Sequence, residues 1–415
     1  MRVRFRAAAL TAALFVSLPL PVQADDATLT ARGGGLSVSG RLIGFDGIFY
    51  RIDTAWGRLT VDAAAVDCAG PGCPDLMRFA PEWRIAVEPW LAERVLRPLA
   101  AGFARAHGFA LTAPDSGTLE FAQSGKTLLR LRVLPLSGAP EPVLAAGGAD
   151  AALAGPTGDR PGALVARLPL SLASAPDAPP GPLPLGPLQA VRQSREATWA
   201  TLGKDTRPLV WHGLPQGSTL DRIATATLGP ARGAGRTFAD PEALAAALRA
   251  DPWGLALLPM PLRPGLQPRQ ITTPCGLSPD LSDFAAATGD HPLSLALHWL
   301  PGSGRAPGLA RDFVAWTTGP AANRLLATSG VPTPSANLRR PLALQGQRLA
   351  NGVMFARSAS ALESLRDALA SLSDAEQLAL TFRFDPRTGA LDTAARGALV
   401  LLSDHLASGA ARQTG

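Results

Sequence analysis

The chain has 415 residues and a formal net charge of +6, with 47% hydrophobic residues, 42 Gly and 39 Pro. That length and apolar content allow two or three domains with substantial cores, and the Gly and Pro predict frequent turns. The basic residues are scattered and almost all Arg, with Lys only at 126 and 204, so no basic stripe with interleaved aromatics marks a nucleic-acid surface.

The first elements are for export. Arg2, Arg4 and Arg6 precede an apolar run over 7–20 and the small-residue site Val22-Gln23-Ala24. This is the layout of a secretory signal peptide over 1–24, with the mature start near Asp25 and a periplasmic location. The apolar run is too short to span a bilayer comfortably, and Pro, Gly, Arg or Asp interrupts every later one. Cys is missing near the cleavage site, so a lipid anchor is not expected.

Residues 25–78 read as a β-rich unit. Leu36, Val38, Leu42, Ile43, Phe45, Ile48, Tyr50, Ile52, Leu59 and Val61 fall in rough alternation, and Asp46-Gly47 between two apolar runs is a hairpin signal. The expectation is a meander of three or four strands over 28–66, closed by the turn Cys68-Ala-Gly-Pro-Gly-Cys73. In an exported chain this Cys pair reads as a disulfide; zinc is the alternative, disfavoured by the lack of a nearby His. Cys275 is left over and reads as buried and structural.

From Trp83 onward the pattern is α/β. A buried strand over 84–87 leads to an amphipathic helix over 91–107, then to strands over 118–123 and 126–135. A helix over 141–152 runs into a short strand holding Asp150. The Pro-dense stretch 174–187 reads as a linker or loop. Helices over 188–201 and 220–228 flank a strand over 208–212. Asp240 caps a helix over 240–250 with Pro241 at its first position. A strand over 255–258 and helices over 309–318 and 321–328 follow. The tail reads as a helix (359–372), a strand (378–384) and a helix (392–407).

The stretch that carries chemistry is 197–219, where the apolar strand ends in a loop closing on Gly217, Ser218 and Thr219 just ahead of the 220–228 helix. Small hydroxyl residues at a helix start leave backbone N–H groups and the positive dipole end for an anion. The bland reading is a simple N-cap. An enzyme would need Ser218 as nucleophile with His212 or His291 as base, but no Gly-x-Ser-x-Gly elbow is present. His212 reads instead as a satisfied strand-end residue, and His298 beside Trp299 as partly buried. The five His are dispersed, so no metal site, no cofactor and no enzymatic activity are expected.

These segments resemble phosphate-type periplasmic solute-binding proteins (PBP-like, type II). The resemblance is carried by Trp199, Leu202-Gly203-Lys204-Asp205 and Gly217-Ser218-Thr219. It continues through 240–260, Cys275-Gly276, Thr288-Gly289-Asp290-His291-Pro292-Leu293, 313–318 and Gly330-Val331, over roughly 83–334. Gly148-Ala149-Asp150 falls where the family has a small-residue-plus-Asp loop. The resemblance implies an α/β fold of two lobes joined by a double crossover, with lobe 1 at 79–170 and 255–340 and lobe 2 at 171–254. It further implies a small oxyanion such as phosphate held between the lobes, Gly217, Ser218, Thr219 and Asp150 as ligand-binding residues, and an ABC permease as partner. Asp150 would accept a proton from a protonated oxyanion and so prefer phosphate over sulfate.

Departures accompany the likeness. Where the family has its first hydroxyl loop this chain has Glu88-Pro89-Trp90, whose carboxylate would repel an anion. Ala152-Leu153-Ala154 replaces the serine after Asp150, and Gly217-Ser218-Thr219 is a permuted Ser-Gly-Thr. The β-rich N-terminal unit and the segment 341–415 resemble parts of a subgroup with an OmpA-like C-terminal domain. That similarity stops short of the Asp and Arg that grip cell-wall peptide, so it does not by itself imply peptidoglycan contact. The alternative to solute binding is a non-transporting envelope scaffold or cell-wall-associated protein that uses a PBP-like domain.

Overall fold

The computed structural model describes residues 26–75, 79–155, 162–194, 197–232, 235–262, 264–272, 282–288, 291, 293–329, 331, 335–382, 384, 388–391 and 393–407. The expected signal peptide, Cys275 and the Thr288-to-Leu293 motif lie outside these residues, the last in part. The chain divides into two units, 1–79 and 80–415.

The first unit is an antiparallel sheet of β1 (Ala27–Ala31), β2 (Ser37–Phe45), β3 (Phe49–Thr54), β4 (Gly57–Asp62) and β5 (Val66–Ala69), in the order β4-β3-β2-β1-β5. The Asp46-Gly47 turn forms as the sequence implies: the Asp46 carboxylate accepts from the amides of Ile48 and Phe49 at 2.9 and 2.7 Å. The meander has one strand more than expected. After β4 the chain turns back to add β5 on the free edge of β1, and the Cys68–Cys73 disulfide closes the turn that follows. Ala27, Leu29, Tyr50, Ile52 and Val66 form its core.

The second unit is α/β. Its first half holds β6 (Glu82–Val87), α1 (Pro89–Leu91), a π-helical turn (Ala92–Leu96), α2 (Arg97–His107), β7 (Ala110–Asp115), β8 (Thr118–Gln123), β9 (Lys126–Pro135), α3 (Glu141–Ala145) and β10 (Ala151–Ala154). Next come β11 (Ala163–Ser174), β12 (Leu183–Pro184), α4 (Leu185–Gln193), β13 (Ala197–Thr198), β14 (Pro208–Trp211), α5 (Thr219–Leu228), α6 (Pro241–Ala250), β15 (Gly254–Pro259), β16 (Gln267–Arg269) and β17 (Ile271–Thr272). They are followed by α7 (Asp283–Thr288), β18 (Ser294–Pro301), α8 (Gly308–Thr317) and α9 (Pro320–Thr328).

An 11-stranded mixed sheet runs β13-β14-β15-β11-β18-β10-β6-β9-β8-β7, with β16 also on β11. β11 joins its two halves. Residues 163–169 pair with β18, while 170–174 pair with β15 and continue on β16. Parallel pairing of β6 with β9 and β10 on one side, and of β14 with β15 on the other, gives each half its own α/β character. This is the two-lobed α/β class the sequence led us to expect. In the first half Phe103 of α2 packs on Phe109, Phe121, Phe313 and Trp316, at ring separations of 5.3 to 5.8 Å.

Local expectations shift at several points. The helix expected over 188–201 ends at Gln193, and Trp199 instead starts a 3-10 turn that buries its ring. The helix expected over 141–152 is a single turn, and β10 begins after Asp150 rather than around it. β11 reaches into the stretch read as a linker. In the tail, β19 (Ser335–Pro341) pairs antiparallel with β20 (Glu376–Ala379), accompanied by α10 (Gly346–Phe355), α11 (Ala359–Ser371) and α12 (Thr393–Ala407). The tail strand is therefore shorter and earlier than 378–384. Among the described residues no helix is long and apolar enough to cross a membrane.

Candidate functional site

The loop before α5 is shaped by its sequence. Gly217 has φ +79°, a left-handed conformation that side chains rarely adopt, and Ser218 follows in extended geometry as the N-cap. The Ser218 hydroxyl accepts from the amide of Asp221, and the Asp221 carboxylate reaches back to the Gly217 amide at 3.0 Å. This reciprocal arrangement is a capping box displaced by one residue. Arg192 of α4, only 1% exposed, holds Asp221 in place at 2.9 Å and also donates to the Gly229 carbonyl. Burial lowers the Arg192 pKa despite the neighbouring carboxylate.

The amides of the tripeptide are all engaged within the protein. Gly217 donates to Asp221, Ser218 to the Pro215 carbonyl at 3.0 Å, and Thr219 to the carboxylate of Glu88 at 2.6 Å. Glu88 opens the Glu88-Pro89-Trp90 stretch. It leaves the carboxyl end of β6, is 5% exposed, and takes a second hydrogen bond from the Trp90 indole at 2.7 Å. A negative side chain thus occupies the helix N-terminus, where the dipole favours it. The Thr219 amide, one of the donors expected to be free at this helix start, is taken by the Glu88 carboxylate.

Beside this pair lies an unsatisfied cationic group. Arg222 sits one turn into α5 from Thr219, and its Nε, Nη1 and Nη2 are all buried without a hydrogen-bond partner among the described residues, as is the Thr219 hydroxyl. Gly155, at the end of β10, fixes their location. A Cβ placed there would stand 3.0 Å from Thr219 Cγ2 and 3.6 Å from Arg222 Nη2. The group therefore faces the carboxyl ends of two adjacent parallel strands, β6 and β10, where open α/β sheets present ligands. α5 borders a cavity of about 620 Å³ whose walls include Trp211, Gly217, Asp221, Arg222, Thr225 and Arg236. Arg222 was not singled out from the sequence, although its position three residues after Thr219 places the two on one helix face.

Asp150 is not part of this cluster. It precedes β10 and accepts from the Arg84 amide and guanidinium, both at 2.8 Å. That is the amino end of the strands whose carboxyl ends meet α5, more than three residues away along an extended chain of about 3.3 Å per residue. The two histidines weighed as bases for Ser218 each have hydrogen-bond partners of their own. His212 Nε2 donates to Asp251 at 2.6 Å while Nδ1 accepts from the Arg236 amide at 3.1 Å, so the ring is fully employed. Burial pushes the Asp251 carboxyl up, but hydrogen bonds from His212 and the Trp253 amide outweigh it and leave the pKa below the usual range. His291 Nε2 is bonded to the Leu170 carbonyl at 2.7 Å. Among the described residues no group of His, Cys, Asp and Glu is arranged to hold a metal ion.

No protein-family model matches the chain, and neither does any curated protein. Solved structures give similarities of fold outline. An ABC-type phosphate transport receptor from Vibrio cholerae is 13% identical, with 61% of this chain and 100% of that one covered at a TM-score of 0.47. PstS from Borrelia burgdorferi is 8% identical over 61% and 98% of the two chains, with a TM-score of 0.40. The OxyR C206 mutant of Corynebacterium glutamicum is 12% identical over 61% and 67%, with a TM-score of 0.39.

Proposed function

We propose that the α/β unit is a periplasmic solute-binding module that holds a small oxyanion of the phosphate kind at the start of α5, for hand-over to an ABC permease. The observation that carries this reading is the Arg222 guanidinium, whose three nitrogens are buried without a partner among the described residues next to an equally unsatisfied Thr219 hydroxyl. A guanidinium removed from water and left unpaired is disfavoured by several kcal/mol, and an oxyanion supplies both the charge and the acceptors it lacks. Gly217 and Ser218 set the turn that aims this face of α5 at β6 and β10. The carboxylate of Glu88 nearby limits the negative charge the site tolerates and so favours a monoanion. The signal-peptide pattern at 1–24 supports export to the periplasm.

The test is a calorimetric and thermal-shift screen of the mature chain with phosphate, sulfate, phosphonates, molybdate and amino acids, repeated with Arg222→Met. Binding of one oxyanion that disappears in the variant supports the reading. A ligand that stabilises both proteins equally removes Arg222 from the site.

A second reading, an envelope scaffold without transport, is favoured by the Glu88–Thr219 hydrogen bond, because the chain's own carboxylate already satisfies the helix start. Under it the tail with β19, β20 and α10 to α12 is the OmpA-like piece turned towards the cell wall. No response to any screened solute, in wild type and in Glu88→Gln alike, selects this reading, and pull-down of peptidoglycan would extend it to the tail.

A further inference from the structure

A second unsatisfied cationic cluster lies inside the half of the sheet built on β14 and β15. Arg269 is on β16, opposite Leu172 of β11, and is 1% exposed. Its Nε donates to the Ser174 hydroxyl at 2.8 Å, and its guanidinium carbon lies 5.2 Å from the ring centre of Trp199, which is fully buried. Beyond that single hydrogen bond the cluster has only donors to offer. Arg269 Nη1 and Nη2 and the Trp199 indole N–H are buried with no partner among the described residues.

The charge is not dispelled by burial. Desolvation lowers the Arg269 pKa only to about 10, so the group remains cationic at neutral pH. Among the described residues no carboxylate stands within ion-pair distance of it. A neutral water or a carbonyl would accept its hydrogen bonds but leave the positive charge uncompensated in a low-dielectric interior. Stacking on Trp199 contributes a cation–π attraction, which is smaller than the desolvation it has to offset.

We propose that Arg269 and Trp199 form an internal site for one small inorganic monoanion of halide size, bound during folding by Nη1, Nη2 and the indole N–H. The burial of both side chains excludes an organic ligand. A single negative charge matches the single positive one, and the three unpartnered donors suit an ion that accepts from every direction. The site is separate from Arg222 and independent of any ligand there, because Arg269 belongs to β16 and contacts β11 and the Trp199 turn rather than α5.

Two measurements test it together. Crystals of the mature protein grown in sodium bromide should show an anomalous peak between the Arg269 guanidinium and the Trp199 indole. At constant ionic strength, with chloride replaced stepwise by gluconate, Tm should fall in the wild type and in Arg222→Met. In Arg269→Met the dependence should vanish, and in Trp199→Phe, which keeps the ring but not the donor, it should weaken. A bromide map with only water at that position overturns the proposal even if the variants fail to fold. So does a halide dependence that is unchanged in Arg269→Met.

Discussion

The amide of Thr219 and the carboxylate of Glu88 are 131 residues apart in sequence and 2.6 Å apart in the fold. One begins α5; the other leaves the end of β6. The hydrogen bond therefore ties the two halves of the second unit together at the start of α5. Charge-assisted bonds of this kind are among the stronger ones, and both partners are buried.

Replacing Glu88 with Gln keeps the shape but removes the charge. The unliganded protein should lose about 1–3 kcal/mol of stability, since a charged hydrogen bond and its helix-dipole contribution are weakened. At the same time oxyanion affinity should rise, because a competing negative charge has gone. Urea denaturation paired with calorimetric titration of phosphate reads both effects. An unchanged midpoint would mean that the charge on Glu88 contributes nothing to the fold.

Arg222→Met has the opposite signature. Methionine fills a similar volume without an unpaired charge, so the unliganded variant should be as stable as the wild type or more so, by up to about 1–4 kcal/mol. Its anion response should be lost. Greater fragility in the variant without ligand would show that the guanidinium is satisfied in solution by some other group.

Ser218 and Thr219 separate structure from binding. Ser218 is the cap whose hydroxyl accepts from Asp221, so Ser218→Ala should lower stability by about 1 kcal/mol with little change in anion affinity. The Thr219 hydroxyl has no partner among the described residues, so Thr219→Val should leave the unliganded fold nearly untouched and weaken anion binding by roughly 1–3 kcal/mol. If both variants lose stability and neither loses affinity, the hydroxyls at this helix start are purely structural.

The elements bounded by strong local signals are those the sequence conveys well. Asp240 and Pro241 mark α6, and the Asp240 side chain accepts from the Ala243 amide at 2.7 Å as a cap should. Ser124-Gly125 separates β8 from β9 at the expected residues. β11 was missed because it is buried along most of its length and so lacks alternation, and because Pro169 within it argues against a strand. β18 was missed despite a strand signal that the sequence does carry, since half-buried and buried residues alternate over 294–299. At the candidate site the Gly217-Ser218-Thr219 turn was readable because capping is local. What occupies its amides was not, since Glu88 arrives by tertiary folding. Arg222 carries no local signal in the sequence, and only burial sets it apart.

The aromatic cluster of the first half makes a packing prediction. Phe103 is fully buried against Phe109, Phe121, Phe313 and Trp316. Phe103→Ala should remove about 3–5 kcal/mol through lost transfer energy and the cavity left behind, while Phe103→Leu should lose less. Equilibrium unfolding followed by tryptophan fluorescence measures the difference. A loss below 1 kcal/mol in the Ala variant, roughly the scale of a surface substitution, would mean that α2 does not pack on α8 as described.

His298 makes the last prediction, on pH. It lies on β18, where burial lowers its pKa, the Ala296 carbonyl bonded to its Nδ1–H partly opposes this, and the positive charge of Arg167 adds to the lowering. In the unfolded chain the ring titrates near its ordinary value of about 6.5. As pH falls through that value the unfolded state takes up the proton while the folded state does not. The stability associated with His298 is therefore fully present above about pH 6.5 and is lost progressively below it, levelling off once the folded pKa is passed. His298→Gln cannot titrate, so its stability should decline less than that of the wild type between pH 7.5 and pH 5. The remaining His residues are common to both proteins and cancel in the comparison. Parallel stability–pH curves for the two would show that the imidazole is as well solvated in the fold as outside it.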